Sequence, residues 1–367
     1  MTGLSLRNLH VKFGRHEVLR GIDIDVAPGQ TLVLFGPSGG GKTVLLRSVA
    51  GLEPAARGQV AIDGADVTSR GPEARGVGMA FQNFALYPHM SARDNIASPL
   101  QARGVGPADV TARVGAVADL LRIGHVLGHM PKELSNGQKQ RTALARALVG
   151  QPKVLLLDDP LRNVDAKLRY EMRLELPRLL RSAAAATIYV SQDYREAMAL
   201  GDQVAILLDG RIAQSGTPEE IYDSPASVNV AKLFGDPPIN LLPCRPTDAG
   251  NALHVAVAGL QLSVRAERAA IGRACLLGLR PETMSIHADA RPNAARAQIL
   301  ATTPLHERLV VLLRAATGEE IVASVLGALP PAGAPVWLSA DATHALLFDA
   351  ETGERITAPR APREIAA

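Results

Sequence analysis

The chain has 367 residues, 47% of them hydrophobic and 20% charged, so it is long enough for two or three globular domains with cores of their own. Its net charge of +3 includes no long basic run, and an aromatic fraction of 3% argues against surfaces that stack single-stranded nucleic acid, so we expect no nucleic-acid partner. The two cysteines, Cys244 and Cys275, have neither metal-ligand nor disulfide-framework spacing. Without a signal-peptide core or a membrane-spanning apolar run, the sequence predicts a cytoplasmic protein.

Alternating apolar residues predict two strands in residues 1–26, with Phe13 just before the turn that joins them. A later stretch, here called the phosphate loop, fits the phosphate-binding pattern G-x-x-x-x-G-K-[ST]. It consists of Gly36, Pro37, Ser38, Gly39, Gly40, Gly41, Lys42 and Thr43. A predicted buried strand, 31–35, precedes the loop and a predicted helix, 44–50, follows it, which is the context that the motif needs.

In a loop of this kind the glycines let backbone N–H groups curl around phosphate oxygens, and the helix N-terminus adds positive potential. We therefore expect Lys42 to reach the β- and γ-phosphates of a nucleotide and Thr43 to offer its hydroxyl to Mg²⁺. The alternative is a Gly-rich turn that binds nothing, and the strand and helix on either side argue against it.

A short predicted strand ends at Gln82, and residues 91–150 predict a small helical insertion. A polar residue at the C-terminal end of an α/β strand lies where ligands bind, although a lone glutamine carries little weight. Near the end of the insertion, residues 134–138 have the sequence Leu-Ser-Asn-Gly-Gln, and Ser135 is a natural N-cap. A helix that begins near Gly137 would present N–H groups to an anion, and a simple capped helix is the alternative.

Residues 154–160 predict an apolar strand that ends in Asp158 and Asp159. A carboxylate at the end of such a strand can hold the Mg²⁺ of a bound nucleotide. The phosphate loop upstream favours that interpretation over a strand that only fills the core. A further predicted strand, 186–190, is followed closely by Gln192.

We place a domain boundary where the composition shifts at Asp236-Pro237-Pro238, which gives a first domain of residues 1–235 and a second domain of residues 236–367. Beyond the boundary, short runs of alternating apolar residues are separated by turn signals. This pattern is typical of small all-β barrels.

In this order, the phosphate loop, Gln82, residues 134–138 (the signature segment), Asp158 and Asp165 resemble the motifs of the ATP-binding cassette (ABC) family. Two further stretches are similar to ATPase subunits of bacterial importers of the maltose and glycerol-phosphate type. They are Ala85-Leu86-Tyr87-Pro88-His89-Met90-Ser91 and Gly278-Leu279-Arg280-Pro281-Glu282. The resemblance implies an α/β P-loop NTPase (ABC ATPase) domain with a helical insertion, followed by an all-β, oligonucleotide-binding-like (TOBE-type) regulatory domain.

The resemblance implies ATP and Mg²⁺ as the ligands of the first domain. Phe13 would stack on the adenine, and Asp158 would hold Mg²⁺ together with Thr43. Gln82 would sense both the γ-phosphate and the metal. Asp159 and Gln192 would occupy the other catalytic positions.

The resemblance also implies partners. Two ATPase subunits would dimerise head to tail, with ATP between the phosphate loop of one and the signature segment of the other. Ser135, Gly137 and Gln138 would bind the nucleotide of the other subunit, and Asp165 would work across the same interface. Permease subunits in the inner membrane would dock near residues 83–90, which places the chain at the cytoplasmic face, and a solute-binding protein would take part indirectly.

Three positions depart from the family pattern. Asp159 stands where the family has a glutamate that positions the attacking water, and a misplacement of about 1 Å can cost on the order of a hundredfold in rate. Gln192 stands where the family has a histidine; glutamine can hydrogen-bond the γ-phosphate but cannot carry a positive charge. Asn136 replaces a signature glycine, and asparagine tolerates a left-handed backbone better than most residues.

Two functions remain open at this point. The first is an importer ATPase that couples ATP binding and hydrolysis to uptake of a sugar, a polyol or their phosphates. The second is a catalytically weak ATP-binding subunit that supports a competent ATPase in a heterodimer. This alternative arises because Asp159 and Gln192, the two catalytic departures, would both act on the ATP bound by this chain's own phosphate loop, whereas the signature segment, which would act on the partner's ATP, is nearly intact. A soluble ABC protein acting on ribosomes or DNA would carry two cassettes or long coiled-coil arms, and neither is visible in the sequence.

Overall fold

The computed structural model describes residues 3–250, 252–305, 307–327 and 329–356. The chain divides into two compact units, Met1–Pro218 and Glu219–Ala367, which we call the first and the second unit. The domain boundary expected at residue 236 falls inside the second unit. A helical segment just before that residue is hydrogen-bonded to Arg280 of the second unit, as described below.

The first unit mixes strands and helices. Its strands, within the described residues, are β1 (Leu4–Phe13), β2 (His16–Val26), β3 (Thr31–Phe35), β4 (Arg57–Ile62), β5 (Ala65–Asp66), β6 (Val77–Ala80), β7 (Val154–Asp158), β8 (Ala186–Ser191), β9 (Gln203–Leu208) and β10 (Arg211–Gly216). Its helices over the same residues are α1 (Lys42–Ala50), α2 (Ala92–Ala102), α3 (Pro107–Leu120), α4 (Asn136–Leu148), α5 (Ala166–Ala183) and α6 (Tyr194–Leu200).

The central sheet of the first unit has the strand order β10-β9-β3-β8-β7-β6, and all neighbours except β9 and β10 run parallel. Every residue of β3, β7 and β8 is buried, which explains why these strands are mainly apolar and do not alternate between apolar and polar residues. Because the strands are parallel, their C-terminal ends meet at one edge of the sheet. The segments that follow β3, β6, β7 and β8 therefore leave the sheet side by side.

The first unit also has an antiparallel sheet with the strand order β2-β1-β4-β5. Its apolar residues form one buried cluster with those of β3, β7 and β8. Helices α2 to α4 fall between β6 and β7, where a helical insertion is predicted. Ser91 and Ser135 start α2 and α4 as N-caps, each accepting a hydrogen bond from a backbone N–H three residues on. No helix among the described residues is long and apolar enough to cross a membrane.

The second unit is mostly β-structure. Two short helices open it, α7 (Pro218–Asp223), which begins at the unit boundary, and α8 (Val228–Leu233). The strands that the structure describes there are β11 (Asn240–Cys244), β12 (Thr247–Asp248), β13 (Leu253–Val257), β14 (Leu260–Val264), β15 (Cys275–Leu279), β16 (Met284–His287), β17 (Ala295–Leu305), β18 (Arg308–Ala315), β19 (Glu320–Leu326), β20 (Pro335–Ala340) and β21 (Leu346–Asp349).

These strands form sheets in the orders β11-β15-β21, β12-β13-β14 and β16-β20-β17-β18-β19, with antiparallel pairing throughout. Strand β14 buries every second residue, as an antiparallel strand with one covered face should. The buried residues of the three sheets, among them Leu277, Val311 and Val336, form one apolar cluster. The second unit therefore has a core of its own, as predicted for an all-β region.

Candidate functional site

A cavity of about 340 Å³ opens at the C-terminal edge of the central parallel sheet of the first unit. It is lined by Val18, Ser38, Gly39, Gly41, Lys42, Thr43, Val44, Gln82, Asp158, Asp159, Arg162, Val190 and Gln192. Much of the phosphate loop is thus brought together with the polar residues that follow β6, β7 and β8. The shared direction of the strands explains this meeting.

The phosphate loop needs glycine at two of its positions for different reasons. Gly36 has a φ of 156°, and a Cβ built on it would lie 2.3 Å from the carbonyl oxygen of Leu207. Gly41 precedes α1 with a φ of 98°, in the left-handed region that favours glycine. Because Gly41 has no side chain to cap α1, the first N–H groups of this nine-residue helix remain available to an anion.

Lys42 is almost fully buried, at 5% exposure. Its ammonium donates hydrogen bonds to the carbonyl oxygens of Gly36 at 2.8 Å and Pro37 at 2.7 Å. Burial lowers the pKa of Lys42, and the nearby carboxylates of Asp159 and Asp158 oppose that effect. The ammonium is therefore held above its own loop by two neutral oxygens, and phosphate oxygens carrying negative charge would be stronger acceptors.

Asp158 and Thr43 meet across the floor of the cavity. The Thr43 hydroxyl donates to Oδ1 of Asp158 at 3.1 Å, and burial of this carboxyl raises its pKa. A hydroxyl and a carboxylate are the oxygen ligands that Mg²⁺ accepts, usually together with phosphate oxygens and water. Within the described residues, no cluster of three or more His, Cys, Asp or Glu side chains could hold a metal alone. The pair thus fits a metal whose remaining ligands come from a nucleotide.

Asp159 directly follows β7 with a φ of 45°, a left-handed conformation that aspartate tolerates better than most side chains. Its backbone N–H donates to the carbonyl of Val190 at 3.1 Å, which anchors the residue to the neighbouring strand. Burial raises the pKa of the Asp159 carboxyl, and Arg162 opposes the shift. Nη1 of Arg162 lies 3.7 Å from Oδ2 of Asp159.

Gln82 and Gln192 line the cavity from the segments after β6 and β8. The backbone carbonyl of Gln82 accepts a hydrogen bond from the Asn163 amide at 2.8 Å. The residue before Gln192 is also fixed, because the Ser191 hydroxyl donates a hydrogen bond to the buried carboxylate of Glu196 at 2.7 Å. Both glutamines are thus placed by contacts of the chain around them, and their roles toward a ligand stay predictions.

The other predicted site residues lie outside this cavity. Phe13 ends β1 with 45% of its surface exposed. Ser135 and Gln138 form a reciprocal capping box, in which each side chain accepts a hydrogen bond from the backbone N–H of the other. Asp165 caps α5 by accepting from the N–H of Leu168 at 2.9 Å, and a Cβ on Gly137 would lie 2.2 Å from a methyl carbon of Leu168.

These contacts give the signature segment and Asp165 a structural role within one chain. Their predicted role in binding a nucleotide across a dimer interface stays a prediction. Among the charged residues that line the cavity, sequence reasoning missed one, Arg162. The available signal was its position three residues after Asp159, in the turn that leaves β7.

A region in each unit of the chain matches a known domain family. A family model described as ABC transporter matches residues 19–162, and one described as TOBE domain matches residues 277–348. The first match contains every residue that lines the cavity except Val18, Val190 and Gln192.

Curated relatives match this chain almost from end to end. The sn-glycerol-3-phosphate import ATP-binding protein UgpC of Cereibacter sphaeroides is 41% identical over 97% of this chain and 100% of its own length. The proteins of the same name from Escherichia coli K12 and Burkholderia thailandensis are 39% and 41% identical, over 97% of this chain and 100% and 99% of theirs.

Among solved structures, the dimeric post-hydrolysis state of the ATP-binding cassette MJ0796 bound to ADP and Pi is similar, with a TM-score of 0.53 and 26% identity. The similarity covers 59% of this chain and 98% of that one. Together with the two family models, it confirms the predicted fold class, an α/β P-loop domain followed by an all-β C-terminal region.

Proposed function

This chain belongs to the ABC transporter family and is an ABC-type ATPase, and from that premise we propose that it is the ATP-binding subunit of an importer for a small phosphorylated polyol. The support for import is the end-to-end similarity to sn-glycerol-3-phosphate import proteins, which extends through the second unit. The single observation that carries the ATPase chemistry is the convergence of Lys42, Thr43 and Asp158 on one cavity.

Within this function the cavity residues have separate tasks. Lys42 exchanges its two carbonyl partners for β- and γ-phosphate oxygens of ATP. Thr43 and Asp158 would hold Mg²⁺, which would neutralise phosphate charge. Asp159 orients the attacking water, while Gln82 and Gln192 offer neutral hydrogen bonds from the cavity wall.

The proposed partners are a second ATPase subunit and membrane permease subunits, which keep the chain at the cytoplasmic face of the inner membrane. The segment around Tyr87 supports permease docking. Tyr87 is 46% exposed, Arg146 lies over its ring at 5.4 Å from the centroid, and the Asn95 side chain holds the local backbone through the N–H and C=O of Tyr87. An exposed aromatic residue on a rigidly held loop is a typical anchor for a partner helix.

Solute uptake tests the importer assignment. In cells that lack the gene, uptake of radiolabelled sn-glycerol-3-phosphate should fall to background. Uptake should return with the natural chain but not with an Asp158→Asn variant, which keeps the shape of the side chain and removes the charge for Mg²⁺. Uptake of an unrelated amino acid is the control. Unchanged uptake after deletion, or loss of a different solute, would refute the phosphorylated-polyol assignment.

A second candidate is the catalytically weak subunit of a heterodimer. It is favoured by the short carboxylate at Asp159, which is paired with Arg162 at 3.7 Å, and by the neutral Gln192. The double variant Asp159→Glu with Gln192→His distinguishes the two candidates. In a weak subunit, Mg-ATP hydrolysis by the purified chain should rise at least tenfold in the double variant at equal ATP affinity. Comparable rates in both proteins would favour a homodimeric importer ATPase.

A further inference from the structure

The two positively charged side chains that line the cavity of the first unit differ in how firmly they are held. Among the lining residues that the structure describes, Lys42 and Arg162 carry positive charge, and Asp158 and Asp159 carry negative charge. Lys42 is buried and donates to two carbonyl oxygens of its own loop. Arg162 has a side chain that is 49% exposed. It is therefore the cation of this set whose position is least determined by packing.

The backbone of Arg162 is held in place. Its N–H donates to the carbonyl of Asp159 at 3.3 Å, and its carbonyl accepts from the Arg169 guanidinium at 3.3 Å. The guanidinium, by contrast, contacts Asp159 at 3.7 Å, which is longer than a hydrogen bond. A half-exposed ion pair of this geometry contributes about 1 kcal/mol or less. The backbone of Arg162 is therefore fixed beside the cavity that its side chain lines, and only a weak ion pair joins its guanidinium to Asp159.

The charge of Arg162 acts on two other residues that line the cavity, Asp159 and Lys42. It lowers the pKa of Asp159 against the effect of burial, and it lowers the pKa of Lys42 in the same direction as burial. Arg162 lines the same cavity as Lys42 and Asp159, and its Nη1 lies 3.7 Å from Oδ2 of Asp159, so its guanidinium borders the space between them. In ATP-hydrolysing sites that space takes the terminal phosphate, where negative charge builds up during the reaction.

We propose that Arg162 is a catalytic residue of this chain, whose guanidinium leaves Asp159 and binds the γ-phosphate of bound ATP. The inference rests on the proposed ATPase function and adds a residue to it. Arginine suits the task because its planar fork can bind two phosphate oxygens at once, and Gln192 cannot supply a positive charge.

The departure of Arg162 also changes Asp159. The carboxylate loses its ion-pair partner and is free to accept a hydrogen bond from the attacking water, which orients that water. The water oxygen then bonds to the γ-phosphorus, the bond from that phosphorus to the β–γ bridging oxygen breaks, and the electron pair leaves with ADP. The proton that the water loses passes to bulk water, so that the products are ADP, phosphate and one proton. A single movement thus supplies charge to the phosphate and frees the acceptor that orients the water.

Nucleotide affinities and hydrolysis rates of the full-length chain test this role. Arg162→Ala should bind Mg-ADP within about twofold of the natural chain, because ADP lacks the γ-phosphate. It should bind Mg-ATP about tenfold more weakly and hydrolyse it on the order of a hundredfold more slowly. Arg162→Lys should regain much of the ATP affinity but less of the rate, because a point charge does not reproduce the fork.

Arg181→Ala is the matched control, with the same charge change on an exposed residue in the last turn of α5. It should leave both affinities and the rate unchanged. Equal loss of ATP and ADP affinity in Arg162→Ala would mean a structural role and overturn the inference. Unchanged or faster hydrolysis would also overturn it, and faster hydrolysis would make Arg162 a latch on Asp159. A natural chain that binds no ATP would instead refute the proposed function itself.

Discussion

Lys42 in the first unit and Arg280 in the second are both buried cations that donate to backbone carbonyls, yet their surroundings differ. The partners of Lys42, Gly36 and Pro37, are six and five residues away in its own loop, and the ammonium faces a cavity. Arg280 donates to Tyr222 and Phe234, which are 58 and 46 residues away, at 2.6 and 2.7 Å. Its guanidinium also lies over the Tyr222 ring, 3.8 Å from the centroid.

The difference separates a binding group from a structural one. Carbonyls within a short loop can give up their cation to a ligand without disturbing the fold, because the loop leads directly into α1 and has a backbone hydrogen bond of its own, from the N–H of Gly40 to the carbonyl of Pro37. Carbonyls that belong to α7 and to the residue after α8 are joined by Arg280 to the sheets of the second unit, and Val228 and Ala231 of α8 add apolar contacts to Leu346 and Phe348 of β21. Burial of charge alone therefore does not identify a functional site, and the sequence distance of the partners helps to do so.

The largest effect expected from this comparison is on ligand binding by Lys42. In Lys42→Ala, affinity for Mg-ATP should fall about a hundredfold or more, because charge-assisted bonds to the phosphates are lost. Thermal stability without nucleotide should fall only modestly, through the lost packing of the buried Lys42 stem. Burial lowers the pKa of Lys42, so folding disfavours its charged form and the charge adds no stability at neutral pH.

Isothermal titration with Mg-ATP, beside thermal unfolding without ligand, measures both effects. Lys153→Ala is the control, since Lys153 pairs with Asp63 on the surface at 62% exposure. It should leave the affinity unchanged. A large loss of stability in Lys42→Ala would contradict the distinction drawn here, because Lys42 would then be as structural as Arg280.

The buried strands of the central sheet could be predicted from the sequence, because mainly apolar strands are recognisable without tertiary information. The resemblance to a known family assigned Gln82, Asp158 and Gln192 to one site, and parallel strands whose C-terminal ends meet explain why these residues line one cavity. Arg162 was not found because it lies in a turn. No periodicity indicates which way a turn side chain points, and only its packed position shows that it lines the cavity.

The start of the second unit shows a second limit. The composition shift at residues 236–238 is a local signal, whereas α7 and α8 join the second unit through contacts that span tens of residues. Helical periodicity predicts that a helix exists but not which sheet it packs on. The motif Gly278-Leu279-Arg280-Pro281-Glu282 is visible in the sequence. The sequence does not show that Arg280 contacts α7 and the end of α8, which precede the expected boundary.

The smaller expected effect is on the stability of the second unit. Arg280→Ala leaves three backbone carbonyls, those of Tyr222, Ala231 and Phe234, without their charged donor and removes the guanidinium from the Tyr222 ring, which should lower the free energy of unfolding by about 3 kcal/mol. The chain has one tryptophan, Trp337 in β20, so its fluorescence during urea unfolding reports on the second unit. Arg265→Ala, at an exposed position in the same unit, should shift the midpoint little. Affinity for Mg-ATP should stay unchanged in both variants. If Arg280→Ala unfolded at the same urea concentration as the natural chain, the long-range carbonyl contacts would not hold the second unit together, and its buried cation would need another explanation.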